Sequence, residues 1–427
     1  MFVGIDNTPR DYAWGSPTAI ADLLGHPASG GPEAELWLGA HPGSPSVILD
    51  PALAGGATDL AEWIAREPET ALGAQFAAAG RLPFLMKILA AHSPLSLQAH
   101  PSPERAAAGF ALENAAGIPV DAADRNYRDP FHKPEIIFAL SDTFEALCGF
   151  RDPRQIRSIL AELRALDATM DDPQPGALAG LENRLLGADA LHDVVDWLLR
   201  DGRGGDSGEV SWLVERVVAL AERAAFLIEG GAQVSFAAEL AMVRSLAAAY
   251  PGDPGIVISL LTNLVSLKRG EVLFLPAGNI HAYLSGLGVE VMASSDNVLR
   301  GGLSPKHIDV DELLEVLDFH ALPVPYLAPI VQSDGVAVYR PGVPDFQLAH
   351  ISVPAEAAAD EAGRVGVPLR QVTLTGPAIA ICTSGRFLVA GAGSSISLAR
   401  GESIYITPDE STVTFAGSGE VFLATTA

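Results

Sequence analysis

LPFLMKILAAHSPLSLQAHPSPERAAAGFALENAAGIPVDAADRNYRDPFHKPEIIF, residues 82–138, is the stretch from which the fold and the chemistry of this chain are read. It carries two groups of polar, metal-capable side chains, Gln98-Ala99-His100 and His132-Lys133-Pro134-Glu135, each joined to a short apolar run. A third group lies far downstream, in LPAGNIHAYLSGLGVEVMASSDNVLRGGLSPKHID, residues 275–309. Polar clusters set against buried strands and spread over distant segments are the layout of an enzyme. The fold would gather them into one metal site and one anion site.

In a strand, alternate residues share a face, so Gln98 and His100 project together while Leu97 and Ala99 face the other way. Glu135 starts a run whose alternate positions, Ile137 and Ala139, share its face, and His281 follows the turn around Pro276-Ala277-Gly278. Two imidazoles, one carboxylate and one amide oxygen make a nitrogen/oxygen donor set without thiolate. Such a set suits zinc or another divalent first-row metal and leaves room for water or substrate oxygens. Taken singly, each of these residues reads equally well as hydrogen-bonded surface, and spacing alone does not bring the three segments together. His26 and His41 read as loop residues, His192 as part of a helical region and His320 as a helix end, which makes them weaker metal candidates.

The lysines sharpen the picture. Only four occur (Lys87, Lys133, Lys268 and Lys306), leaving 23 of the 27 basic residues as arginine. Three of the four fall inside or beside the polar clusters. Lysine is a compact ammonium whose pKa shifts readily on burial or beside another cation, unlike arginine. Lys133 precedes a proline, which biases it toward an extended backbone, and Glu290 is a second candidate for proton transfer. Arg300, followed by Gly301 and Gly302, suits bidentate binding of a phosphate, with Lys306, Lys87 and Lys133 as further positive charges. The plain alternative is that Arg300 forms a structural ion pair with Asp296 or Glu290.

Composition bounds the rest. At 427 residues the chain has room for two or three domains, and 48% apolar content implies large cores rather than disorder. A formal charge of −25 repels nucleic acid and anionic membranes, so an anionic substrate needs a local basic pocket in an acidic body. Two isolated cysteines, Cys148 and Cys382, form neither a disulfide framework nor a thiolate cage. No signal-like N-terminus and no apolar run of about 18 residues are present, so a cytoplasmic protein is expected.

Local patterns place helices and strands. Ala61 to Ala79 reads as helical, 84–89 and 95–100 as strands, and Ser102-Pro103 as an N-cap and first helical residue. Another strand is expected at 135–140. At Asp152-Pro153 the character changes to helix, with Ile156, Ile159, Leu160 and Leu163 at helical spacing. Helices at Ser211–Glu229 and Phe236–Tyr250 follow, the second being the last before Pro251-Gly252-Asp253-Pro254. Strands are expected at 271–275 and 289–292, and a short helix at 309–317. From about residue 325, short β-branched runs between Gly, Ser and Pro suggest a sandwich or jelly roll. GEVLFLPAG (270–278) and GESIYITPD (401–409) share one shape, which hints at two related β-barrels. No histidine follows His350, so the second barrel is not expected to hold a metal.

The chain closely resembles the type I mannose-6-phosphate isomerases (phosphomannose isomerases). The resemblance rests on YAWGS (12–16), AELWLGAHP (34–42), LPFLMKIL (82–89), PLSLQAHPS (94–102), 109–140, LPAGNIHAYLSG (275–286) and SSDNVLRGGLSPKHID (294–309). It runs in order over residues 1 to about 320 and weakens in the C-terminal hundred. It implies a mainly β fold: a cupin-type jelly roll holding the metal (1–151 and 255–322), a helical insert (152–254) and a C-terminal jelly roll (323–427). It further implies one Zn²⁺ per chain on Gln98, His100, Glu135 and His281. The substrate pocket would hold Trp14, Ser96, Lys87, Lys133, Glu290 and Arg300, with Lys306 as a further phosphate-side charge.

The expected reaction interconverts D-mannose 6-phosphate and D-fructose 6-phosphate through a cis-enediol, with zinc either polarising the reacting oxygens or orienting the sugar. Lys133 is favoured as base, Glu290 is its rival, and Arg300 meets the phosphate or developing charge. The expected partner is a small sugar phosphate, with no nucleic acid and no membrane, and the protein is expected to be a monomer. Two other readings use the same residues: a cupin oxygenase with iron on His100, Glu135 and His281, and a non-catalytic sugar-phosphate-binding cupin. The first gives no obvious purpose to the lysine and arginine set, and the second has no need of Lys133 or Glu290. The length and content of the helical insert and the C-terminal region depart most from the family pattern.

Overall fold

The computed structural model describes residues 1–187, 189–202, 207–355 and 370–427. Its centre is a strand, Phe84–Ala91, whose eight residues are all buried. Central strands covered on both faces carry near-continuous apolar sequence, and here the run is broken only by Lys87. On one side it pairs with Glu35–Leu38 and on the other with the long strand His281–Ala293, both antiparallel. His281–Ala293 is the hub of a sheet of nine strands among the described residues. It also pairs with Leu97–Ala99, Glu135–Ala139 and Thr143–Phe150. Leu299–Gly302 adds to Leu97–Ala99, and Val272–Leu275 and Thr262–Lys268 complete the sheet.

Strand alternation sorts the apolar side chains into separate cores. Ile137 and Ala139 pack with Leu89, Phe144 and Tyr283 inside the curved sheet. Ile136 and Phe138, on the opposite face, join a core shared with Phe346, Ile379 and Phe422 of the second sheet. Leu97 and Ala99 turn toward the helices, so Gln98 and His100 are left facing the other way, as the alternation requires.

The second sheet has ten strands among the described residues, built mostly from the C-terminal hundred residues. Its longest pairing joins Ala378–Ala390 to Thr412–Thr425, and Gln347–Val353 lies against the latter. The N-terminal strand Phe2–Asp6 hydrogen-bonds to Ser403–Ile406, so the first residues of the chain add a strand to this C-terminal sheet. The two similar motifs, GEVLFLPAG and GESIYITPD, supply the strands Val272–Leu275 and Ser403–Ile406, one in each sheet.

Between the strands Thr143–Phe150 and Thr262–Lys268 the described residues are mostly helical. Asp152 caps Pro153–Asp167 by accepting from the Arg154 amide, and Ile156, Ile159, Leu160 and Leu163 are buried at the expected spacing. Glu209–Glu229 and Ala237–Ala249 follow. The helix ending at Ala249 is not the last, as the sequence suggested. GIVISLL forms a further helix, Gly255–Leu261, with every residue buried. A short apolar run cannot be told apart as helix or strand by period alone; here the Asp253 carboxylate accepts from the Gly255 amide and starts a helical turn.

The helix expected over 61–79 is three pieces, Leu60–Arg66, Pro68–Leu72 and Ala74–Ala77. Pro68 has no amide to continue the first piece, and Gly73 takes φ 76°, outside the helical region. The strand expected at 289–292 extends back to His281, because its other edge is paired along its whole length. No described helix is long and apolar enough to cross a membrane.

Candidate metal centre and active site

Register does most of the assembly. Gln98 sits opposite His281 on one neighbouring strand and opposite Arg300 on the other, so three distant segments place these residues in one row. A second row runs Trp37, Lys87, Glu290, Ile137 across four strands. Glu135 enters at the start of its strand, opposite Met292 and Leu275.

The nitrogen and oxygen atoms that His100, Glu135 and His281 can offer all lie within 4.8 Å of one another, and all three residues are buried. The His100 Nε2 is 3.3 Å from one Glu135 oxygen and the His281 Nε2 is 3.4 Å from the other. The Gln98 amide lies 3.3 Å from the His281 Nε2. Each histidine turns its Nδ1 to a backbone carbonyl, His100 to Asn297 at 2.8 Å and His281 to Asn279 at 3.0 Å. That contact makes Nδ1 the protonated nitrogen and leaves the Nε2 lone pair pointing inward.

Neutral Nε2 atoms and carboxylate oxygens are all acceptors. Facing one another without a proton, they repel unless a cation lies among them. The His100 Nε2 and one Glu135 oxygen are buried with no hydrogen-bond partner, which ordinarily costs about 1–3 kcal/mol each. Burial pushes the His100 pKa down to about 4, against the pull of Glu135, so its imidazole is neutral near pH 7. Glu135, although burial opposes it, is held well below the usual carboxylate range by His100 and Lys133. A preformed, deprotonated donor set of this kind fits a divalent metal.

Beside it lies a cavity of about 390 Å³ whose lining includes Trp14, Lys87, Lys133, Glu290, Arg300 and Lys306. Gln98 and Glu135 also reach its wall, while His100 and His281 stand behind them with almost no exposure. Ser96 does not line it; the adjacent Leu95 does. The Lys133 ammonium is 3.3 Å from Glu135. Lys87 is fully engaged, 2.8 Å from Glu290 and 3.4 Å from Glu35. One ammonium between two buried carboxylates neutralises only one of them. Glu290 is accordingly raised, first by burial and then by the charges of Glu135 and Glu35. Lys87 stays protonated, because those carboxylates outweigh its burial.

Arg128, Arg300 and Lys306 also line the cavity. Burial lowers the pKa of Arg300, and Arg128 adds to the effect; Lys306 is lowered by burial and by both arginines. Among the described residues none of the three makes an ion pair with a carboxylate, so Arg300 is not the structural partner of Asp296 or Glu290. Three crowded cations with no carboxylate in ion-pair contact form a site for an anion.

Several cavity residues were not foreseen: Tyr12, Glu35, Trp37, His41, Arg125, Asn126, Arg128, Tyr283, Asp296. Glu35 and Trp37 alternate with buried Leu36 and Leu38, and an acid inside an apolar strand is itself a signal. The Trp37 Nε1 donates to Glu35 at 2.8 Å. His41, placed in a loop by the sequence, pairs with Asp296 at 3.1 Å and sits edge-on to Trp37. Spacing gave no hint of that pairing, since the partners are contributed by unrelated loops.

Comparison with known proteins adds to this geometry. Residues 2–153 match the phosphomannose isomerase type I catalytic domain. The mannose-6-phosphate isomerase of Escherichia coli K12 is 36% identical over 420 residues, covering 97% of each chain. That of Homo sapiens is 34% identical over 362 residues, covering 81% of this chain and 80% of its own. A zinc-bound crystal structure of mannose 6-phosphate isomerase superposes with TM-score 0.82 at 34% identity, covering 100% of this chain and 99% of its own. Likeness over the whole length supports a cupin-type fold of large antiparallel sheets with its helical insert.

Proposed function

The chain belongs to the type I phosphomannose isomerase family, and on that premise we propose that it interconverts D-mannose 6-phosphate and D-fructose 6-phosphate with one zinc ion per chain. The observation that carries the reading is the meeting, in one cavity, of a metal donor set, buried proton-transfer groups and an uncompensated cation cluster. A sugar-binding protein has no need of the second, and an oxygenase has no need of the third.

Gln98, His100, Glu135 and His281 would hold the zinc, which when bound supplies Lewis-acid polarisation or orientation of sugar oxygens. Arg128, Arg300 and Lys306 receive the phosphate and fix one end of the open-chain sugar. Trp14 adds an apolar wall at the cavity. The reaction removes the proton from C2 of the aldose while O1 gains one, giving the cis-enediol. The ketose forms when O2 loses its proton and C1 gains one. Lys133 is the base that we assign to the carbon-bound proton; it must act as the free amine and lies beside the metal donors. Glu290, with its raised pKa, is the group suited to hold a proton near the sugar oxygens. Lys87 serves as counter-ion to Glu290 and Glu35 rather than as a phosphate ligand.

The catalytic part would be residues 1–151 and 255–322. The formal charge of −25 supports an enzyme without nucleic-acid or anionic-membrane partners, which we place in the cytoplasm, in carbohydrate metabolism and as a monomer. A coupled assay of fructose 6-phosphate formation, before and after chelation and with zinc restored, tests the whole reading. Activity lost and regained with zinc is expected. No turnover in any metal state would overturn it.

A further inference from the structure

The loop that presents Lys133 is held from two different sheets. Upstream, the buried Asn297 side chain donates to the carbonyls of Asp129 and Phe131 at 2.7 and 2.8 Å, and Ser295 Oγ donates to Phe131 at 3.1 Å. Downstream, the Ala293 amide donates to the Pro134 carbonyl at 3.0 Å. All three anchors belong to the metal-holding part of the chain. Between them, among the described residues, the backbones of His132 and Lys133 make no hydrogen bond.

What holds this middle step is a side chain from the segment leading into the other sheet. The His132 Nε2 lies 2.7 Å from Asp345, and both side chains are largely buried. Asp345 is itself on a stiff mount. It follows Pro344, whose carbonyl accepts from Ala427, and it precedes Phe346, which is fully buried in the core between the sheets. The strand Gln347–Val353 begins two residues later. On the opposite flank, the Arg81 guanidinium lies 3.4 Å from the centre of the Phe131 ring. The charge of Asp345 supports that guanidinium against its burial. Neither His132 nor Asp345 lines the cavity, so whatever they contribute reaches the reaction through the backbone of the adjacent Lys133.

We propose that Asp345 is a positioning residue for the isomerisation: by gripping His132 it sets the backbone from which Lys133 reaches the substrate, so the sheet without metal donors fixes the geometry of the base. This rests on Lys133 being the base. Displacing a reacting group by about 1 Å can cost up to about a hundredfold in rate, whereas the phosphate cluster, on other segments, would be untouched.

The test uses zinc-loaded full-length enzyme and three variants, with rates expressed per bound zinc. D345A should lower kcat about tenfold or more with KM within about twofold, and should raise hydrogen exchange at the Phe131 amide, which donates to Asp129 at 3.0 Å. D345N keeps an oxygen that can accept from the imidazole and should recover most of kcat. H132Q keeps an N–H donor near the same place and should do likewise. Unchanged exchange at the Phe131 amide in D345A would overturn the latch whatever the activity. So would a kcat loss no greater than the loss of zinc-bound folded protein, or D345N being as slow as D345A. Wild-type enzyme without mannose 6-phosphate turnover would sink the isomerase reading instead, and the exchange result would still decide the latch.

Discussion

At the scale of single residues, the site is defined by which atoms have a partner and which do not. His281 turns one nitrogen to Asn279 and the other to Glu135 and Gln98. Replacing it by alanine should remove zinc and turnover together, read by metal analysis and the coupled assay; a fully metallated, active H281A would exclude it as a ligand. Lys133→Arg keeps the charge but not a titratable amine, and should lower kcat by about 10² or more. Near-normal turnover in K133R would remove Lys133 as the base and leave Glu290. Strand alternation and a turn gave the four metal-donor candidates a direction, but their grouping came from the family resemblance, because spacing alone did not bring the three segments together. Glu35, His41 and Asp296 were not legible in the sequence, because their roles depend on partners that only the tertiary fold supplies.

The same atoms give the metal-free protein a pH dependence with a definite sign. The His100 pKa falls from 6.5 to about 4 on folding, so between those values the unfolded chain binds the proton and the folded one does not. Stability is therefore complete above pH 6.5 and is lost as pH falls toward 4. At pH 4.5 the loss from this residue is roughly 2 kcal/mol. Urea unfolding of chelated wild type and H100Q at pH 7 and 4.5 isolates it. A wild type that loses no more stability than H100Q over that interval would contradict the assignment.

At the scale of elements, the helix Pro103–Ala115 shows how local preference yields to packing. Its N-cap was legible: Ser102 accepts from the Arg105 amide, with Pro103 at the first position. Gly109 within it was not explicable from sequence, since glycine costs a helix interior about 1 kcal/mol relative to alanine. The fold gives the reason. A Cβ at Gly109 would lie 2.3 Å from the Tyr127 ring. Tyr127 is buried, its hydroxyl meets Glu312, and its amide is held by Glu113. Overpacking of this kind costs about 1–3 kcal/mol, so Gly109→Ala should lower Tm despite its better helix propensity. Because Arg128 follows Tyr127, KM for mannose 6-phosphate should rise as well. A G109A enzyme with higher Tm and unchanged KM would show that the ring can move aside freely. Elsewhere the elements were legible where caps and periods agreed, as at Asp152. They were misjudged where a buried apolar run carried no period, as in GIVISLL, or where a lone Pro or Gly divided a helix.

At the scale of the whole molecule, two opposing fields act on the substrate. The chain carries a formal charge of −25, which repels a sugar phosphate at long range. Arg128, Arg300 and Lys306 attract it at short range, and burial lowers the pKa of Arg300 and Lys306, so part of that attraction acts in a desolvated wall. Salt does not screen the two equally. The Debye length shrinks from about 30 Å at 0.01 M to about 8 Å at 0.15 M, which removes most of the repulsion between a distant substrate and the acidic surface. Contacts within the cavity are shorter than either length and are weakened less. Raising ionic strength from 0.01 to 0.15 M with an inert salt should therefore raise kcat/KM, and only higher salt should reduce it as the cluster itself is screened. In Arg300→Met, which removes a cation from the wall, the initial rise should persist while KM increases throughout. A monotonic fall of wild-type kcat/KM from the lowest salt would mean that the local cluster dominates at all distances and that the acidic body has no bearing on capture.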